Sequence, residues 1–215
     1  MPLDQALVRT DFRVRRWDED QVDWAMGRLG MPGRQRNHAN VVICPREFAE
    51  HGVAPYSDTT ERDCNLVVQQ GWVALLGGIA GTSIVNKFSS TYGRIGVGTV
   101  STAASYTDTK LGGDTGGSST TSYYQACGAA PVIVTSSTPP TMTWTATFGT
   151  GVANFSWQEF GIDNYSASGV TITGLSNVIL LNHGISSQGT KASGTIWTAT
   201  ATLIFGYPSG SGTLS

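Results

Sequence analysis

Residues 141–162 read TMTWTATFGTGVANFSWQEFGI, and the fold follows from how this stretch is read. Met142, Trp144, Ala146 and Phe148 alternate with Thr141, Thr143, Thr145 and Thr147. A period of two places the first set on one face of a strand and the threonines on the other. Gly149, Thr150 and Gly151 break the pattern as a turn, because glycine accepts the backbone angles of a reversal. A second strand follows with Phe155 and Trp157 on one face, so the stretch reads as a hairpin. Its alternation slips at Phe160, which predicts a bulge or twist near Glu159. The same pattern returns in 195–205, where Trp197, Ala199, Ala201, Leu203 and Phe205 oppose Thr198, Thr200 and Thr202. That segment is the expected partner strand. Each large ring buries roughly 150–250 Å², worth several kcal/mol of gross burial at about 25 cal/mol per Å². Trp144, Phe148, Phe155, Trp157, Trp197 and Leu203 are therefore the expected core. The fold class is mainly β: an antiparallel β-sandwich or jelly roll.

The charges of the 215-residue chain are few and uneven. Charged residues make up 13%, against an ordinary ~25%, and Thr, Ser and Gly take their place. Residues 1–63 hold nine Arg and eleven Asp or Glu; the rest holds only Lys87, Arg94, Asp108, Lys110, Asp114, Glu159, Asp163 and Lys191. This shift marks two parts: a charged N-terminal docking arm over 1–57, irregular and partly helical, and a helix plus β-sandwich domain over 58–215. Deleting the arm should leave that domain folded. The formal net charge of −2 gives no general pull toward nucleic acid or anionic membrane. The longest apolar run, near 72–80, is too short to span a bilayer. The first residues, MPLDQALVRTDFRVRR, lack the apolar core of a signal peptide, and Cys44, Cys64 and Cys127 are odd in number. Folding in a reducing cytoplasm is expected.

Within the arm, Val14, Trp17, Val22, Trp24, Met26 and Leu29 suggest a short helix, and Val41, Val42 and Ile43 one strand before Pro45. Its arginines read either as a solvated, salt-bridged surface or as a docking element that orders on a partner, with Arg13, Arg15, Arg16, Trp17 and Trp24 as the contacts. Ser57 or Asp58 is a candidate cap for a helix running to Leu76. Leu66, Val67, Gln70, Val73 and Leu76 form its apolar face, and the helix is expected to cover one open edge or end of the sheet. Further strands are expected at 84–90, 94–100 and 131–135, with a hairpin of 170–173 and 178–181.

Chemistry-bearing residues are sparse. Glu159 and Asp163 are the only acids near the core strands. They read either as a glycosidase-like carboxylate pair or, for Glu159, as a buried acceptor of backbone N–H. His38, His51 and His183 stand in no metal-ligand spacing with the cysteines, and His183 reads as a turn or packing residue. Asp108 and Asp114 on a glycine-rich loop are too few for a calcium site. No cofactor is expected. Tyr123 and Tyr124, with Tyr106 across the loop, are candidate sugar-stacking residues or buried packing residues.

The order of motifs resembles a group of tailed-bacteriophage virion proteins, of the tail-fibre, head-fibre or minor structural type. The resemblance covers about 64–206. It rests on Asn65 and Gly71, Ile95 with Gly96 and Gly98, Thr107-Asp108 with Leu111, Phe155 through Ile162, and Gly189-Thr190-Lys191 before Trp197. One departure is Asn182-His183, where that group often carries Asn-Arg. The resemblance implies a non-enzymatic structural component of the virion, in tail, baseplate, collar or head, docked through its N-terminal part after assembly in the host cytoplasm. Its partners would be other virion proteins and copies of itself, a trimer among the forms allowed. The rival is a carbohydrate- or receptor-binding module at a fibre tip, with Tyr123 and Tyr124 on a host surface glycan.

Overall fold

The computed structural model describes residues 8–28, 45–62, 65–82, 88, 91, 93–137 and 139–206. Ten strands and three helices are described: β1 (Val8–Trp17), α1 (Glu19–Arg28), α2 (Pro45–Glu50), β2 (Ser57–Glu61), β3 (Asn65–Val67), α3 (Gln69–Ile79), β4 (Arg94–Gly98), β5 (Ser122–Ala126), β6 (Val132–Val134), β7 (Thr141–Phe148), β8 (Ser156–Asp163), β9 (Leu180–Thr190) and β10 (Ile196–Phe205). They form two five-stranded antiparallel sheets, in the orders β2-β1-β10-β7-β6 and β3-β9-β8-β4-β5. The fold is a β-sandwich.

The six expected core residues are all buried. Trp157 is the hub. Its ring lies 4.7 Å from Phe148 and 4.8 Å from Trp197, both edge-on, as aromatic quadrupoles favour. β7 pairs with β10, the expected partner, with Trp144 opposite Ala201 and Phe148 opposite Trp197. On the other face the threonines join across the strands, Thr143 to Thr202 at 3.1 Å and Thr145 to Thr200 at 3.3 Å. The stretch 141–162 is nevertheless not a hairpin. β7 and β8 belong to different sheets, and the turn at 149–151 carries the chain across the sandwich. Both strands need a buried inner face; stacking them across the core buries both at once.

The boundary at 57/58 does not separate two units. β1 lies between β2 and β10, paired with β10 from Val8 opposite Phe205 to Trp17 opposite Ile196. Val8, Thr10, Phe12, Val14 and Arg16 point into the sandwich and are buried. Thr10 reaches the opposite sheet, where its hydroxyl accepts from Asn182 Nδ2 at 3.3 Å. The strand is hidden in the sequence because one inward position is an arginine. Arg16 is buried because its guanidinium is satisfied: it donates to Gln188 O and Oε1 at 2.8 Å each and to Ser57 Oγ at 2.8 Å, and lies 4.5 Å from the Trp197 ring centroid. The helix expected within 12–29 begins only after this strand. Asp18 caps it, with Gln21 N donating to Asp18 Oδ1 and Asp18 N to Gln21 Oε1, a reciprocal capping box.

A helix from Ser57 does not form either. Residues 57–61 are β2, held by Arg13 on Asp58 and by Arg16 on Ser57 and Thr59. α3 starts at Gln69, and its apolar period is right but its face is reversed. Gly71 and Ala74 turn inward, because a Cβ on Gly71 would stand 2.0 Å from Leu181 O. That close approach turns Val73 and Leu76 to solvent. The segment 170–181 is not a hairpin: only 180–181 are in a strand, and Ile172 N donates to the Asp114 carboxylate instead of a partner strand. The strands expected at 41–43 and 84–90 lie largely or wholly outside the described residues.

Two outcomes follow. Trp157→Ala is expected to cost about 3–5 kcal/mol of unfolding free energy in a denaturant titration. Deleting residues 1–17 removes an inner strand, and calorimetry should then show no cooperative unfolding transition; a transition like that of the full chain would contradict the placement of β1.

Candidate functional site

The outer face of β4 carries Gly96 and Gly98, and space is the reason. A Cβ at Gly98 would lie 2.2 Å from Glu159 Oε1, and one at Gly96 2.5 Å from the Tyr124 ring. The I-G-x-G strand thus makes room for two side chains from its neighbours. Glu159 arrives there through the predicted bulge, found between Trp157 and Glu159. The extra residues lie on β9, where Gly189 to Ile185 runs against Trp157 to Glu159; Trp157 and Phe160 stay in the core and Glu159 faces outward, under the loop 99–121.

Glu159 is fully buried. A buried carboxylate needs a donor at every lone pair, and here the loop backbone provides them. Gly113 N donates to Oε1 at 2.6 Å, Val100 N to Oε1 at 3.3 Å, and Gly112 N to Oε2 at 2.7 Å. The fourth partner is His183, from β9, whose Nε2 stands 3.0 Å from Oε2. Its Nδ1 lies 2.6 Å from Asp108 Oδ2. Asp108 also accepts from Ser105 N at 2.7 Å, and its side chain is 27% exposed at the rim of a shallow cleft with Gln69, Gln70, Val73, Thr107 and Thr109.

A neutral imidazole has one N–H, so it cannot donate to both carboxylates; only the imidazolium can. Burial pushes His183 down, but its bonds to Glu159 and Asp108 outweigh that and hold it above its ordinary 6.5. The cation stitches the loop to the sheet. An arginine at 183 would face the same two carboxylates within one chain.

Two more buried acids pin neighbouring loops. Asp114 accepts from Ile172 N at 2.7 Å, from the hydroxyls of Thr171 and Thr173, and from Tyr124 Oη at 3.3 Å. Asp163 takes two bonds from Arg94, Nε at 2.9 Å and Nη2 at 2.6 Å, and the guanidinium lies 4.8 and 4.9 Å from the Tyr124 and Tyr165 ring centroids. Glu159 and Asp163 are therefore committed to separate partners and do not form a carboxylate pair. Lys191 is buried on Gly149 O at 2.8 Å and Asn154 Oδ1 at 2.7 Å, and burial lowers it to about 7.

The residues expected to meet a partner or glycan fare differently. Arg16 and Trp17 are consumed inside, Trp17 stacked 4.6 Å from Phe48. Arg13 is tied to Asp58, and Arg15 is half-buried near Trp17. Trp24 stays exposed. Tyr124 is fully buried and Tyr123 half-buried against Phe148, so they do not form an exposed stacking pair. The role of His183 was missed; the signal for it is distant in sequence, an isolated His and a T-D loop that only the sheet brings together. Cys44, Cys64 and His38 lie outside the described residues. Comparison with protein-family models, curated proteins and solved structures finds no match.

The linkage has a definite sign. His183 has a folded pKa above its unfolded value, so its contribution is complete below about pH 6.5 and is lost as pH rises through the folded value. Urea titrations at a series of pH values should show stability falling on the alkaline side, and His183→Arg should flatten that limb. Glu159→Gln removes one partner from a buried charged network and is expected to cost about 3–5 kcal/mol.

Proposed function

We propose that this chain is a non-enzymatic structural component of a tailed-phage virion, acting by assembly with its own copies and with neighbouring virion proteins. The observation that carries the reading is an apolar stripe on α3 left facing solvent, Val73, Leu76 and Ile79. Contiguous exposed apolar surface marks a place of contact. The motif order over 64–206 supports the virion assignment. The buried acids support a structural role, since each serves backbone N–H groups, a histidine or an arginine within the fold. Docking is not assigned to Arg16 or Trp17, which have no free surface to offer.

The test is particle composition. A phage encoding an epitope-tagged copy should yield purified particles that carry the tag by immunogold labelling and by mass spectrometry. A tag found only in the soluble lysate, with particles of normal composition otherwise, would sink the assignment.

A further inference from the structure

The inner side of α3 is spent: Gly71 and Ala74 lie against the sandwich, and Trp72 and Leu75 pack on its core. Its outer side is not. Val73 is 65% exposed, Leu76 58% and Ile79 85%, and Leu66, just before the helix, 39%. Spacing of three places Val73, Leu76 and Ile79 in one stripe of the helix. Gly77, one turn after Val73, adds no bulk there, which lets another backbone come close.

We propose that this stripe seats a second copy of the chain, the two α3 helices lying antiparallel across a two-fold axis through Leu76. The inference rests on the assembly reading above and names its surface. Two observations select a second copy as the occupant. The first is charge. No charged residue occurs from 64 to 86, so an isologous contact, which sets each residue near its own mate, meets no like-charge repulsion. A partner recognised by opposite charge would find nothing to pair with on this stripe. The second is symmetry of the stripe itself. Val73 and Ile79 stand three residues either side of Leu76, so antiparallel pairing puts Leu76 on its own mate and Ile79 against the partner's Val73. Beside Val73 lies the cleft lined by Gln69, Gln70, Thr107, Asp108 and Thr109, open to receive the incoming isoleucine. The negative charge at its rim, Asp108, is already taken up by His183.

The patch is on the order of a few hundred Å² per copy. With the adjoining loop at Tyr106, itself exposed, the pair buries about 1,000 Å², the low end for a specific interface. The dimer should therefore dissociate on dilution. Sedimentation velocity and light scattering of the full chain over a range of concentrations test this. The wild type should reach twice the chain mass. Leu76→Lys should raise the dimer dissociation constant at least about 30-fold, as expected for a central interface residue, while keeping the tryptophan emission of the fold. Ile133→Lys, at the exposed edge strand β6, should leave the dimer intact. If Leu76→Lys fails to fold, Leu76→Cys gives a second reading: mild oxidation should yield a covalent dimer beyond the wild-type background, and Ile133→Cys should not. A wild type that stays monomeric or reaches three chain masses, a dimer that survives Leu76→Lys, one lost only in Ile133→Lys, or no covalent dimer from Leu76→Cys would each overturn the proposal. A monomeric wild type that still enters particles would sink this inference alone; a dimer absent from particles would sink the virion assignment alone.

Discussion

A carboxylate removed from water must be met by donors on all sides, and in this protein much of one sheet is arranged to meet that of Glu159. β4 gives up a side chain at Gly98 to make room. The loop 99–121 folds back so that three of its amides aim at two oxygens. β9 contributes the imidazole, and the imidazole in turn holds Asp108. Where β8 and β9 change register, that charge faces outward while Trp157 and Phe160 stay in the core.

The aromatic layer was legible because it depends on local pattern. Alternation in 141–148 and 195–205 is a direct record of which face is dry, and the slip at Phe160 recorded the bulge. What alternation cannot record is which strand lies beside which. The turn at 149–151 reads the same whether it joins neighbours in one sheet or crosses between two, so β7 and β8 were paired by proximity in sequence when the core needed them face to face. The same limit hid His183, which the pairing of β8 with β9 sets beside Glu159 and on which the loop 99–121 then lays Asp108.

The N-terminal strand failed for a different reason. Val8, Thr10, Phe12, Val14 and Arg16 do alternate with Arg9, Asp11, Arg13 and Arg15, but an inward arginine and a dense outer row of charge look like a solvated segment. The inward arginine is affordable only because Gln188, Ser57 and Thr59, far along the chain, supply its acceptors. α3 shows a third kind of miss. Its period was readable, but the face it buries was set by the contact of Gly71 with the backbone of β9, and a residue without a side chain leaves no mark in a hydrophobic pattern. The virion reading rests on motif order, and the geometry bears on it through the surfaces left uncovered.

The pairing of β1 with β10 has a consequence for how the polypeptide is made. Val8 leaves the ribosome early and Phe205 late, yet they face each other in one ladder. Contacts of such separation raise contact order and slow folding. Until the last strand emerges, β1 and β7 are both unfinished edges, with Phe12, Val14 and Trp144 uncovered. A nascent chain in that state is exposed to wrong pairing with its neighbours on the same message. Arrival of β10, and not the appearance of any earlier part, is thus the step that closes both edges.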